Sequence, residues 1–289
     1  MKYMAMLKKA LILVVCSTLF FGIGRAETSR IISDLRVAAE QGDAEAQFTI
    51  GGIYYTGEGV KQNYTDAVKW VRLAAEQGFS KAQYNLGEMY YKGQGVEQNY
   101  TAAAEWFTLA ALQGLAEAQH NLGVSYAKGR GVVQDLSKAV KWYGLAAAQG
   151  DVKSQYNLGV SYATGAGVAK DLTEALKFYK LAAEQGNVLA QNNLGVMYAR
   201  GIGVLQNYTE AAKWFRLAAT QGNVKAQISL GLIFEKGYGN DKNFAEALSW
   251  YRLAASQGNA IAQQKLVDLK QAKTLTDSKV LKENMVAVD

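Results

Sequence analysis

The chain repeats one pattern every 36 residues, and this period constrains the fold more than any other feature of the sequence. A Gly-x-Gly marker keeps the interval from Gly57/Gly59 to Gly237/Gly239. A Gln-Gly marker occurs at Gln41-Gly42, Gln77-Gly78, Gln113-Gly114, Gln149-Gly150, Gln185-Gly186, Gln221-Gly222 and Gln257-Gly258. Periods of about 20 to 50 residues are typical of solenoids and propellers, in which each repeat packs on its neighbours.

Each period contains two helical patterns. The first carries apolar residues four positions apart, as in Ala82, Leu86 and Tyr90, and the second carries an adjacent aromatic pair, as in Trp106 and Phe107. Such spacings place residues on one face of a helix, and the alternation expected of a strand is absent. The sequence therefore predicts an all-α chain of helical hairpins.

Both helices have recognisable ends. The first ends at a glycine, and the second begins after an N-cap residue. The N-cap residues are Asn63, Asn99, Asp135, Asp171, Asn207 and Asn243. Asn63, Asn99 and Asn207 also fit the N-glycosylation pattern. Since aspartate stands at the same position in Asp135 and Asp171 and cannot carry an N-glycan, we interpret the position as a helix cap.

Two more positions recur inside the first helix. A glycine such as Gly87 costs about 1 kcal/mol relative to alanine in a helix. We therefore expect a packing reason, namely close approach to the aromatic residue of the second helix. A glutamine recurs from Gln47 to Gln263 beside the apolar face, which predicts a repeated hydrogen bond between neighbouring repeats.

The period also gives the domain boundaries. A half repeat spans 28–41, six repeats span 42–257, and a capping half repeat spans 258–273. These parts form a solenoid predicted over 27–273, and a polar tail follows over 274–289.

Residues 1–26 have the pattern of a signal peptide. Lys2, Lys8 and Lys9 precede a stretch of 14 residues without charge over 10–23, which is too short to span a membrane. Small residues then precede a cleavage site predicted after Ala26. We expect export to the periplasm or out of the cell, with no stable membrane anchor after cleavage; an uncleaved anchor is the alternative.

Composition excludes several classes of function. Loss of the signal peptide removes four cations and no anion, so 27 basic residues would face 25 acidic ones, a net charge of +2 instead of +6. This small excess does not favour nucleic-acid binding. Cys16 is lost as well, which excludes disulfide scaffolds and cysteine zinc sites. With one histidine, we expect no catalytic residues, no metal site and no cofactor.

The repeats resemble the Sel-one-like repeat (SLR) family, relatives of tetratricopeptide repeats. One full copy is carried by Ala82, Leu86, Gly87, Tyr90, Gly93, Gly95, Val96, Asn99, Ala103, Trp106, Phe107, Ala110, Ala111 and Gly114. The resemblance covers about residues 28 to 270. It implies a right-handed α-α superhelix, or solenoid, of stacked helical hairpins that serves as a scaffold for protein–protein contacts, often in exported bacterial proteins.

The predicted binding surface lies on the first helices. Ala46, Ile50 and Tyr54 define their packed side, so residues offset by about half a turn face away from it. In SLR proteins the first helices line the concave surface. The predicted partner-contact residues are Phe48, Tyr55, Tyr84, Glu88, Tyr91, His120 and Tyr156.

Two further features lie on this surface. Val124, Val160 and Val196 form an apolar stripe, and either exposure to a partner or burial between neighbouring helices would explain it. His120 is the only histidine of the chain, and we expect it to lack an acidic or metal partner. It is therefore predicted to be a contact residue and not a catalyst.

Together these observations predict an exported, monomeric, non-enzymatic scaffold whose concave groove binds a protein or peptide, in envelope signalling or host interaction. The alternative is a hydrolase of cell-wall or β-lactam substrates, because some cysteine-rich exported relatives have a reported link to penicillin binding. This chain lacks those cysteines and a nucleophile–base pair, which counts against the alternative.

Overall fold

The structure is a computed structural model that describes residues 25–239 and 241–271. Within these ranges the chain forms helices joined by short turns and contains no strand. The predicted all-α solenoid of tandem hairpins is therefore confirmed. The proposed signal peptide before residue 25 and the polar tail over 274–289 lie outside the described residues.

The chain divides into two compact units, Met1–Asp151 and Val152–Asp289. The helices of the first unit are α1 Arg25–Glu40, α2 Ala44–Thr56, α3 Tyr64–Glu76, α4 Ser80–Lys92, α5 Tyr100–Leu112, α6 Ala116–Lys128 and α7 Leu136–Ala148. Those of the second unit are α8 Val152–Thr164, α9 Leu172–Glu184, α10 Val188–Arg200, α11 Tyr208–Thr220, α12 Val224–Lys236, α13 Phe244–Ser256 and α14, helical over 260–271.

Even-numbered helices are the first helices of their repeats, and odd-numbered helices from α3 onward are the second helices. Within each unit, a first helix packs on the second helix of its own repeat, and that helix packs on the next first helix. In the first unit, α1 also packs on α2, as the predicted half repeat requires.

The predicted helix ends are confirmed. The Asn63 side chain accepts hydrogen bonds from the backbone N–H groups of Thr65 and Asp66, which stabilises the start of α3. At the end of α2, the Gly57 N–H donates to the Ile53 carbonyl in the left-handed conformation that favours glycine. The asparagine and aspartate caps therefore serve the same structural purpose.

Helix contact within a repeat depends on the internal glycine, as predicted. A Cβ atom at Gly87 would lie 2.7 Å from ring carbons of Phe107, which is only 1% exposed and cannot move aside. The ring of Tyr143 lies equally close to Gly123, and the ring of Phe215 to Gly195. The missing methyl group thus allows an aromatic ring to lie directly on the backbone of the first helix.

Contact between repeats uses a second glycine. Gly95 lies in the turn after α4 with φ of 75°, and a Cβ atom there would overlap the Tyr64 carbonyl at the start of α3. The turn of one repeat therefore rests on the second helix of the preceding repeat.

A line of glutamine hydrogen bonds confirms the predicted link between repeats. Gln83 donates from Nε2 to the Ala75 carbonyl of the preceding repeat at 3.2 Å. Its Oε1 accepts a bond from Nε2 of Gln113 at 2.7 Å, and Gln113 also donates to the Gly78 carbonyl at 3.0 Å. We call this pattern the glutamine ladder. It satisfies a buried amide in each repeat while joining three successive helices.

The expectation that Gln263 has the same environment is wrong, because this side chain is exposed. In a complete repeat, a second-helix glutamine covers its partner, as Gln257 covers Gln227 at 3.0 Å. No second helix follows α14 among the described residues, so nothing equivalent covers Gln263. The capping half repeat is held instead by Glu235, which accepts hydrogen bonds from Tyr251 at 2.8 Å and Lys265 at 3.1 Å.

Two glycine substitutions test the packing explanation. We expect Gly87→Ala to lower the free energy of unfolding by about 1–3 kcal/mol, because the new methyl group overpacks the Phe107 contact. Gly144→Ala is the matched control, since this glycine lies within α7 and no atom lies within 4 Å of its Cβ position. Its expected effect is a gain of up to about 1 kcal/mol. Urea unfolding of both variants measures the difference, and an equal gain in both would contradict the packing explanation.

Candidate functional site

The seven predicted contact residues lie on first helices, and all of them are partly buried. Those on α2, α4 and α6 belong to the first unit, whereas Tyr156 lies on α8 in the second unit. Four of the seven come together around one cavity of about 390 Å³ between α2 and α4. These four are Phe48, Tyr55, Tyr84 and Glu88.

Val71 also lies on the wall of this cavity, and the sequence prediction did not include it. Each later repeat has an aromatic ring at the corresponding position of its second helix. These rings belong to Phe107, Tyr143, Tyr179, Phe215 and Tyr251. Valine contacts Gly51 as the rings contact their glycines, but it is shorter than a ring and leaves the adjacent space unfilled. This feature has a signal in the sequence, because Val71 departs from the aromatic residues found at the equivalent positions of the other repeats.

Tyr55 and Tyr91 occupy equivalent places and differ in what covers them. Tyr55 donates a hydrogen bond to Gln94 at 2.9 Å and packs edge-on against Tyr64. Tyr91 accepts a hydrogen bond from Arg130, whose guanidinium group lies 5.8 Å from the centre of the Tyr91 ring. Tyr91 does not line the cavity, and Arg130 covers part of its ring. A partner that reaches Tyr91 would therefore also contact Arg130.

Glu88 is a paired charge at the edge of the cavity. Its carboxylate lies 2.5 Å from Nζ of Lys92 and accepts a hydrogen bond from the Asn121 amide at 2.7 Å. The hydrogen bond to Glu88 raises the pKa of Lys92. The pair leaves no net charge at this edge, so a charged ligand gains little there.

Tyr84 lies between the cavity and the core of its repeat. Its ring is 5.9 Å from that of Phe107. Burial, followed by the negative charge of Glu88, raises the pKa of Tyr84 to about 12. The residue therefore presents a neutral phenol to the cavity at any physiological pH.

The prediction that His120 lacks an acidic partner is wrong. Its Nδ1 atom lies 3.3 Å from a carboxylate oxygen of Asp151, and its ring packs on Tyr143. Asp151 is 31 residues away in sequence and is brought close because it begins the repeat after the one that carries His120. His120 is thus fixed by its neighbours, as the aromatic residues at equivalent positions are.

The valine stripe is partly buried. Val160 and Val196 pack against core clusters of the second unit, and Val124 is similarly half-buried. Burial between neighbouring helices thus explains much of the stripe. Val196 also lines a shallower cavity of about 320 Å³ with Tyr179 and Asn193, at the position that corresponds to the first cavity.

The part of the chain that the structure describes contains no cluster of acidic, histidine or cysteine side chains arranged to hold a metal ion. None of its helices combines the length and the apolar character that a membrane span requires.

Comparison with known proteins identifies the repeats. The family model described as Sel1 repeat matches six consecutive segments, at 44–79, 80–115, 116–151, 152–187, 188–223 and 224–259. These segments start two residues after the repeats derived from the period, with the same length. A comparison with curated proteins finds no match.

Two solved structures are similar along most of the chain. One is a protective antigen present in uropathogenic Escherichia coli strains, with an SLR fold, 39% identity and a TM-score of 0.63. The match covers 82% of this chain and 59% of the antigen, so the chain spans little more than half of that protein. The other is a Sel1 repeat protein from Oxalobacter formigenes, with 35% identity, a TM-score of 0.69 and coverage of 78% and 90% of the two chains.

Alkaline titration tests the burial of the site tyrosines. Burial raises the pKa values of Tyr84, Tyr143 and Tyr179 to about 12, whereas an unperturbed tyrosine has a pKa of about 10. As the pH is raised, tyrosinate absorbance should therefore increase in a main step near pH 10 and a second step near pH 12. Tyr84→Phe should reduce the second step. Because these groups hold protons more tightly when folded, the free energy of unfolding should fall as the pH rises from about 10 towards 12. The protein unfolded in concentrated urea should show a single step. The same single step in the folded protein would contradict the burial of these tyrosines.

Proposed function

The chain belongs to the Sel1 repeat family, and we propose that it is an exported scaffold that binds a protein or peptide through the first helices of its first unit. Sel1 repeat proteins are generally non-catalytic and mediate protein–protein contacts. The single observation that carries the proposal is the cavity between α2 and α4, which is lined by partly buried aromatic residues. Aromatic side chains in a partly enclosed cavity are typical of binding hot spots.

The chemistry of the surface supports binding more than catalysis. Glu88 is paired with Lys92, and His120 with Asp151, so these groups have structural partners within the repeats. The side chains around the cavity combine aromatic area with amide groups. This combination suits a peptide that buries its own side chains there and forms hydrogen bonds through its backbone. Such a partner would place its anchor residues between successive first helices.

Export is the second part of the proposal. It rests on the basic leader and the short uncharged stretch over 10–23. An exported scaffold of this kind would act in envelope signalling or in contact with a host.

A triple substitution tests the binding surface. We expect Tyr55→Ala/Tyr84→Ala/Tyr91→Ala to weaken binding of a partner identified by crosslinking at least about tenfold, because it removes the aromatic anchors of the first unit. The matched control is Leu73→Ala/Leu109→Ala/Leu145→Ala, which truncates three second-helix side chains that are 44–51% exposed. Affinity is measured by titration, and circular dichroism checks that both variants are folded. Equal affinity of the folded tyrosine variant and the wild type would place the binding surface elsewhere.

Mass spectrometry of the protein from its native cell tests export. The expected mature chain begins at Glu27 and has 263 of the 289 residues if nothing else is lost. Cell fractionation should recover it outside the cytoplasm. A cytoplasmic chain that begins at Met1 would contradict the proposed export, and it would leave the binding surface unaffected.

A further inference from the structure

The cavity of the first repeat includes the position at which the other repeats carry an aromatic ring. In the next repeats the first-helix aromatic residue packs on the second-helix ring, with 5.9 Å between Tyr84 and Phe107 and 6.0 Å between Tyr156 and Tyr179. Phe48 has only Val71 at that position and packs instead on Phe79 at 5.2 Å. The space that a ring fills elsewhere is thus part of the cavity here.

An asparagine in the same cavity lacks the partner of its counterpart in the next repeat. The Asn121 amide donates a hydrogen bond to Glu88 at 2.7 Å. Asn85 occupies the corresponding position on α4 and lines the cavity.

The position that would satisfy Asn85 in this way is changed in the first repeat, because Gly52 stands where the next repeat has Glu88 and has no side chain. Val71 supplies neither a ring nor a hydroxyl group. Among the described residues, the Asn85 side chain makes no hydrogen bond. The cavity therefore combines a vacant ring position with an amide donor free for a ligand.

We infer that this cavity receives a tyrosine side chain from a bound peptide. The inference rests on the proposed function and names the anchor that the partner inserts. The ring would lie near Gly51 and Val71, where other repeats place their own rings, and its hydroxyl group would meet the Asn85 amide.

Other side chains fit this cavity less well. A leucine would fill less of the space and leave Asn85 without a partner, and a phenylalanine would fill the space but also leave the amide unsatisfied. A lysine or aspartate would lose its hydration against Phe48 and Met89, and the Glu88–Lys92 pair offers no uncompensated charge in return.

Amides of single amino acids serve as probes. N-acetyltyrosinamide, N-acetylphenylalaninamide and N-acetylleucinamide are titrated into the full chain, and the backbone NMR signals of Gly51 and Gly52 are followed. We expect dissociation constants on the order of 1 mM for the tyrosine probe, consistent with its small size. The phenylalanine probe should bind about fivefold more weakly because one hydrogen bond is lost, and the leucine probe about tenfold more weakly.

Variants locate the site. Val71→Tyr supplies the ring that other repeats carry and should abolish the probe-induced shifts of Gly51 and Gly52. The control Leu73→Tyr adds the same side chain to the exposed side of α3 and should leave these shifts unchanged. Asn85→Ala should remove the preference for tyrosine over phenylalanine. Thermal unfolding checks that each variant is folded.

The outcomes separate this inference from the proposed function. Unchanged probe binding by folded Val71→Tyr, equal binding of the tyrosine and leucine probes, or no shift up to the solubility limit of the tyrosine probe would each overturn the inference. If Val71→Tyr binds the crosslinked partner like the wild type while the triple tyrosine variant does not, the tyrosine pocket is wrong and the proposed surface stands. Loss of the partner with Val71→Tyr but not with Leu73→Tyr supports both.

Discussion

The close contact between a helix glycine and an aromatic ring is the interaction on which the rest of this structure depends. At Gly87 the backbone of the first helix is bare, so the Phe107 ring lies against it and sets the separation of the two helices. That separation places Gln83 and Gln113 within reach of each other. The glycine costs helix propensity, but it creates the contact surface that a 36-residue repeat needs because such a unit has too little core of its own.

The glutamine ladder explains how contacts within a repeat become contacts between repeats. Gln83 is buried, and its amide would be costly there without both of its partners. One partner is a carbonyl of the preceding repeat and the other is Gln113 of its own second helix. Each ladder residue therefore requires three correctly placed helices. This requirement favours the native stacking of hairpins over alternative packings, because a displaced helix would leave buried polar atoms unpaired.

Much of this architecture could be predicted because it recurs. The helix spacing, the Asn63 cap, the packing role of Gly87 and the ladder all follow from positions that repeat in register. The site was only partly predictable, since it depends on departures from the repeat. The His120–Asp151 contact joins residues of two repeats, and its distance depends on side-chain directions that periodicity does not specify. The role of Val71 could not be predicted, because periodicity does not show that the rings at its equivalent positions contact the first helix.

Val71 also has a consequence for symmetry. Nearly identical repeats offer an extended ligand several equivalent positions, each shifted by one repeat, and nothing in a uniform surface distinguishes them. A single vacant ring position in the first repeat removes this degeneracy, because a ligand that fills it can bind in one register only. A valine in place of an aromatic residue thus gives a repetitive surface one distinctive position, and a bound chain that occupies this position is fixed in register.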